Sequence, residues 1–88
     1  AIAHYKRVLD HDASNLDAAS ALERLYHGAQ RYEELAGVYL SKAAILDTPA
    51  AQKEYFFRAG QLYEEVLDRP DQAIDVYQKS LQVEPDDV

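Results

Sequence analysis

The sequence predicts an all-α fold, a solenoid of stacked helical units, and three observations carry that prediction. Three five-residue phrases recur at one phase, Ala1-Ile2-Ala3-His4-Tyr5, Leu35-Ala36-Gly37-Val38-Tyr39 and Ala73-Ile74-Asp75-Val76-Tyr77, spaced 34 and 38 residues apart. Periods of this size belong to helical units that bury their apolar faces only against their neighbours. Apolar residues recur at helical spacing along the chain, and no segment alternates with the period of two that a strand needs. Gly, Pro and capping residues punctuate the pattern into five helices.

The first helix, near 1 to 12, carries Ile2, Tyr5, Val8 and Leu9 on one face and reads as the second helix of a repeat whose first helix is missing. Ser14-Asn15-Leu16-Asp17 matches a capping-box start for a helix to about Tyr26, ended near Gly28. A third helix, about 31 to 46, places Leu35, Tyr39, Ala43 and Leu46 on one stripe. Thr48-Pro49 restarts the chain, since Thr caps and Pro fits the first turn, and that helix runs to about Leu67. Pro70 opens the last helix, with Ile74, Tyr77 and Leu81 facing inward and Pro85 after its end. Arg69 then falls at an N-cap, where Asp or Ser would accept a hydrogen bond and Arg cannot. The expected organisation is one segment over 1–88: a truncated repeat over 1–13 and two repeats over 14–48 and 49–85.

The second halves of the repeats narrow the class. Ala19-x-x-Leu22-Glu23-x-x-Tyr26 is followed by Leu35-x-x-x-Tyr39, and Phe56-x-x-Ala59-Gly60-x-x-Tyr63 by Ala73-x-x-x-Tyr77 and then Pro85. This resembles the tetratricopeptide repeat, whose pattern runs aromatic, Leu-Gly, Tyr, then Ala, aromatic and Pro over about 34 residues. The resemblance implies a right-handed superhelical solenoid of antiparallel helix pairs, here about two and a half repeats. Three positions depart from the pattern: Ala19 replaces the large aromatic, Glu23 the small residue and Leu35 the small Ala. These departures predict looser packing in the first full repeat. The longer second offset assigns three extra residues to Asp47 through Gln52 and one to the turn near Asp68-Arg69-Pro70, where insertions leave the helical registers intact.

With 88 residues and 48% hydrophobic content, the chain makes one small domain, near the size where a single core is marginal. It has no Cys and no Met, which excludes disulfides, thiolate chemistry and Cys-based metal sites. No apolar run approaches the roughly 18 residues of a membrane span, and no signal peptide is visible; the compartment stays open. The chain starts in mid-phrase, and Glu84-Pro85-Asp86-Asp87 reads as a junction into another repeat, so the expectation is a segment of a longer protein.

Tyr5, Tyr26, Tyr39, Tyr63 and Tyr77 all fall on packing positions, which makes them core rather than a stacking platform for bases. Phe57 is different. Phe56 takes the packing position, and its neighbour points about 100 degrees away. In the resembled family the first helix of each repeat lines a concave groove. That implies groove positions Asp17, Ser20, Arg24 and His27 from one repeat and Glu54, Phe57, Gln61 and Glu64 from the next, with Arg24 and Arg58 as orienting charges. Such a groove suits an extended peptide or a partner helix. Phe57 keeps two readings, the anchor of that groove or a cover for the inserted turn.

The formal net charge is −7, and from Ile45 onward ten acidic residues stand against four basic ones. Phosphate backbones are repelled, which argues against an RNA-reading helical repeat, while basic partners are steered in. Some tetratricopeptide domains clamp a C-terminal carboxylate with Lys and Asn; the matching helices here offer only Arg24 and Arg58. Glu33-Glu34 and Glu64-Glu65 diverge on their helices and cannot flank one bond. His4 and His11 lie about 10 Å apart along the axis, too far for one metal ion, and His27 suits a helix C-terminus. The reading is a non-catalytic protein-interaction scaffold without cofactor, metal, nucleic-acid or membrane partner. The alternatives are a spacer within a longer solenoid and, less favoured by charge, an RNA-processing repeat; self-association through the terminal repeats stays open.

Overall fold

The structure, a computed structural model, describes residues 2–12 and 14–83. The Pro85 stop, the Glu84-Pro85-Asp86-Asp87 junction and the first residue of the opening phrase, Ala1, lie outside the described residues. The elements are α1 (Ile2–His11), α2 (Leu16–Gly28), α3 (Tyr32–Ile45), α4 (Pro49–Gln61), a π-helical segment (Leu62–Val66) that continues α4, and α5 (Pro70–Val83). Each helix packs against the next in chain order. The all-α fold expected from the periodicity is the one observed.

The punctuation is close to expectation, with two local corrections. Asn15, not Ser14, is the N-cap of α2: its side chain accepts a hydrogen bond from the Ala18 N–H at 3.1 Å, and Ser14 Oγ turns back to Asp12 Oδ1 at 3.3 Å. Thr48 occupies the N-cap of α4 but its side chain makes no cap hydrogen bond. Pro49 removes one of the donors that a cap would serve. The inserted turn is closed instead by Gln52, whose Nε2 donates to the Leu46 carbonyl at 2.5 Å.

The extra residue of the second repeat is not in the turn. Gln30 (φ 60°) and Asp68 (φ 54°) are the left-handed residues that end α2 and the π segment. Gln30 follows Tyr26 by four residues, whereas Asp68 follows Tyr63 by five. The added residue is taken up within the helix as a π turn, closed by the Leu67 N–H donating to the Leu62 carbonyl at 2.8 Å. Register is therefore shifted after Tyr63 rather than preserved.

The core sits in the first full pair. Ala19, Leu22, Tyr26, Leu35 and Val38 form its buried cluster, with Ile2, Tyr5 and Leu9 of α1 packed on one side and Leu62 on another. The expected looseness is absent, because Leu22 and Leu35 are the largest fully buried side chains of the described residues. A small residue at 19 and a large one at 35 fill the space that Phe56 and Ala73 fill in the reverse order, a volume-conserving exchange.

In α5 the inward face differs from expectation. Ala73, Val76 and Ser80 are buried, Tyr77 is half-buried, and Ile74 and Leu81 are 53% and 70% exposed. The reason is close approach: α5 lies so near α4 that a Cβ added at Gly60 would stand 2.5 Å from Tyr77 Cε1. Ala73, Val76 and Ser80 fill that seam, and the Tyr77 ring fits there because position 60 has no side chain. The unfavourable cap at Arg69 has its explanation in a tertiary contact, since Arg69 Nη1 donates to Glu33 Oε2 of α3 at 2.8 Å.

Candidate functional site

Two clefts lie side by side along α2 and α4. One, of about 400 Å³, is lined by Glu23, Arg24, His27, Gly28, Tyr39 and Arg58. The other, of about 320 Å³, is lined by His27, Tyr32, Leu35, Tyr39, Arg58, Gln61, Leu62, Glu65 and Val66. His27, Tyr39 and Arg58 belong to both, so the two form one furrow. Helix phase explains the lining: Arg24 and His27 are three apart on α2, and Arg58 and Gln61 are three apart on α4, so each pair shares a helix face.

Four of the nine residues expected in the groove, Arg24, His27, Arg58 and Gln61, are thus brought together. Glu54 stands at the edge, where its carboxylate accepts a hydrogen bond from Arg58 at 2.5 Å. Phe57 and Glu64 are engaged with α5: the Phe57 ring lies 5.6 Å from that of Tyr77, and Glu64 Oε1 accepts from the Tyr77 hydroxyl at 3.1 Å. Asp17 is exposed and Ser20 half-buried, two turns and one turn before Arg24 respectively, and neither lines the furrow.

Beneath the furrow is a polar network that sequence reasoning missed. Lys42, 7% exposed, donates from Nζ to Glu23 Oε1 at 2.8 Å and to the Tyr55 hydroxyl at 2.9 Å. Burial works against its charge, but the bonds to Glu23 and Tyr55 outweigh that, and its pKa is raised above the ordinary 10.5. The Tyr55 ring in turn lies 5.9 Å from that of Tyr39 and carries the Arg58 guanidinium 5.3 Å above its centroid. Burial, then the charge of Glu23, raises the Tyr39 pKa against the opposing Arg58, so the floor of the furrow is a neutral phenol at ordinary pH. Arg58 is occupied by Glu54 and Tyr55, whereas Arg24 makes no ion pair among the described residues. The signal for this network was in the sequence: Lys42 lies seven residues after Leu35, on the inward side of its helix, and Glu23 stands at a small-residue position.

The arrangement offers donors, one uncommitted cation and an apolar end at Leu62 and Val66. Among the described residues no helix is long and apolar enough to cross a membrane. Residues 18–52 match the family model for the tetratricopeptide repeat, a span that takes in most of α2, the whole of α3 and the start of α4. No curated protein and no solved structure gives a significant match.

Proposed function

We propose that this chain, which carries a tetratricopeptide repeat over residues 18–52, docks an extended peptide or a helix of a partner protein in the furrow between α2 and α4. Tetratricopeptide repeats are generally protein-interaction modules and typically non-catalytic. The observation that carries the finer reading is the continuity of the two clefts through His27, Tyr39 and Arg58. Arg24, His27 and Gln61 supply hydrogen bonds to a ligand, Tyr39 forms the floor, and Leu62 with Val66 receives an apolar side chain. Phe57 is an aromatic contact for a ligand long enough to reach the α5 side of α4. Asp17 and Ser20 would be met only by a ligand that continues along α2.

The experiment is selection from a displayed peptide library followed by affinity measurement on variants. Arg24→Ala and Gln61→Ala should weaken the selected peptide by about 1–2 kcal/mol each with unchanged melting, as expected of groove contacts. Sensitivity to Arg24→Ala marks a carboxylate on the ligand, and sensitivity to Glu54→Ala or Glu64→Ala marks a cation. Peptides that bind all these variants like the parent would remove the furrow as the docking site.

A further inference from the structure

Pairing inside the furrow leaves two charges over. Its carboxylates and guanidiniums are Glu23, Arg24 and Arg58 in the first cleft, and Arg58 again with Glu65 in the second. Glu23 is held from below by Lys42 at 2.8 Å. Arg58 is held from the edge by Glu54 at 2.5 Å, with its guanidinium over the Tyr55 ring. Arg24 and Glu65, both exposed, make no ion pair among the described residues.

The two left over are segregated. Arg24 borders only the first cleft and Glu65 only the second. Arg58, the wall common to both, stands seven residues before Glu65, about 10 Å along a continuous helix, which about three extended residues span. Arg24 is outside the cleft that Arg58 and Glu65 share, so a chain touching both leftover charges needs at least that length. The clefts also differ in what surrounds the charge. Glu65 has Leu62 and Val66 beside it, whereas the lining around Arg24 contains no aliphatic side chain.

These local charges decide more than the net charge does. The −7 of the chain draws cations from a distance, but the Debye length at physiological ionic strength is about 8 Å, so a bound side chain responds chiefly to the group it touches. A wholly basic segment would set a like charge on Arg24, and a wholly acidic one would set it on Glu65. A segment carrying both signs in one order satisfies both ends.

Taking the furrow as the docking site, we propose that its ligand is a protein segment of mixed sign: an acidic side chain meets Arg24 and, at least about three residues along, a basic side chain meets Glu65 beside an apolar one received by Leu62 and Val66. The inference rests on the docking reading and adds the chemistry and order of the ligand to it.

The test is selection from a random displayed peptide library on the parent chain and on Arg24→Glu/Glu65→Arg, which is altered only at exposed positions and should melt like the parent. The parent should enrich peptides with an acidic and a basic residue in this spacing and an apolar residue next to the basic one. The double variant should enrich the opposite signs, with the acidic residue next to the apolar one. A parent-selected peptide, synthesised with acetylated and amidated ends, should lose about fivefold in affinity when its acidic residue becomes Gln, and nothing further against Arg24→Ala; its basic residue should be coupled to Glu65→Ala in the same way. Both losses should shrink in high salt. Peptides that are weakened by Gln61→Ala yet lack the charged pair, or the same signs enriched by both proteins, would overturn the proposal and leave the furrow as the docking site. Peptides indifferent to both Gln61→Ala and Arg24→Ala, or no enrichment at all, would overturn the docking reading together with it.

Discussion

The pair α2–α3 and the pair α4–α5 close the same kind of seam by opposite means. In α2–α3 the small and large residues are Ala19 and Leu35; in α4–α5 they are exchanged, as Phe56 and Ala73. One step along, Glu23 and Lys42 of the first pair stand where Gly60 and Ser80 stand in the second. The first seam is thus held open enough for an ion pair, and the second is pressed until the Tyr77 ring covers Gly60. The comparison teaches that the repeat constrains the sum of volumes across a seam and leaves open which helix supplies it. It also separates two kinds of stabilisation. A buried ion pair roughly breaks even when intact and is costly only when half of it is removed, whereas a steric seam is damaged by addition.

That asymmetry predicts the largest effect at Lys42. Lys42→Ala leaves Glu23 without its cation and opens a cavity; because the Glu23 side chain is still 23% exposed, the expected loss is about 2–3 kcal/mol, below the range for a fully buried pair. Replacing both partners, Glu23→Ala with Lys42→Met, should cost less than the sum of the single changes, and urea denaturation of the four proteins measures the coupling. Additive costs would mean the pair is not a unit. The network also sets an alkaline limit. Lys42, Tyr39 and Tyr77 all have raised pKa values, the last through burial and its bond to Glu64. Their contribution is complete below the ordinary values near 10 and is lost as pH rises through the folded values. Melting temperature should therefore fall above about pH 10, and less steeply in the Glu23→Ala/Lys42→Met protein.

The steric seam is tested by Gly60→Ala, expected to cost about 1–3 kcal/mol by overpacking against Tyr77. Gly37→Ala, in α3 where nothing lies within 4 Å of the new methyl, should stabilise by up to about 1 kcal/mol through helix propensity. Equal signs in thermal melts of the two variants would refute the close approach of α5. The smallest effect belongs to Arg69→Ala. Its bridge to Glu33 joins two exposed side chains, so the loss should be no more than about 1 kcal/mol and should vanish in high salt.

Helix starts and the inward residues of α2 and α3 were legible because they follow local rules: a cap before an apolar stripe, a proline in a first turn, an aromatic at each repeat phase; the tightness of that core was not, since Ala19 and Leu35 taken one at a time predict looseness. What stayed hidden depended on how two helices approach. Ile74 and Leu81 are the most apolar residues of their helix, and spacing alone turns them inward; the distance between α4 and α5 reserves that side for Ala73, Val76 and Ser80. Lys42 and Glu23 carry charges that composition assigns to solvent, and only the meeting of α2, α3 and α4 makes them partners. Of the positions that the resemblance implied, Arg24, His27, Arg58 and Gln61 line the furrow, whereas Phe57 and Glu64 are engaged by Tyr77, a side chain from another helix. The π turn could be counted from the Tyr63 to Asp68 spacing but not located, since one extra residue fits a loop or a helix equally well on paper.

Lys42 binds within its own helix pair through Glu23 and into the next through Tyr55, and the second of those bonds bears on cooperativity. In an array whose stability is a sum of unit and neighbour terms, a shared side chain belongs to the neighbour term. Amides of α2, α3 and α4 should then exchange hydrogen through one common opening, while α5, joined to α4 by neutral packing and by the bonds of Tyr77 to Glu64 and of Ser80 to the Lys53 carbonyl rather than by the Lys42 network, opens at lower free energy. Removing Lys42 would divide that common opening into two.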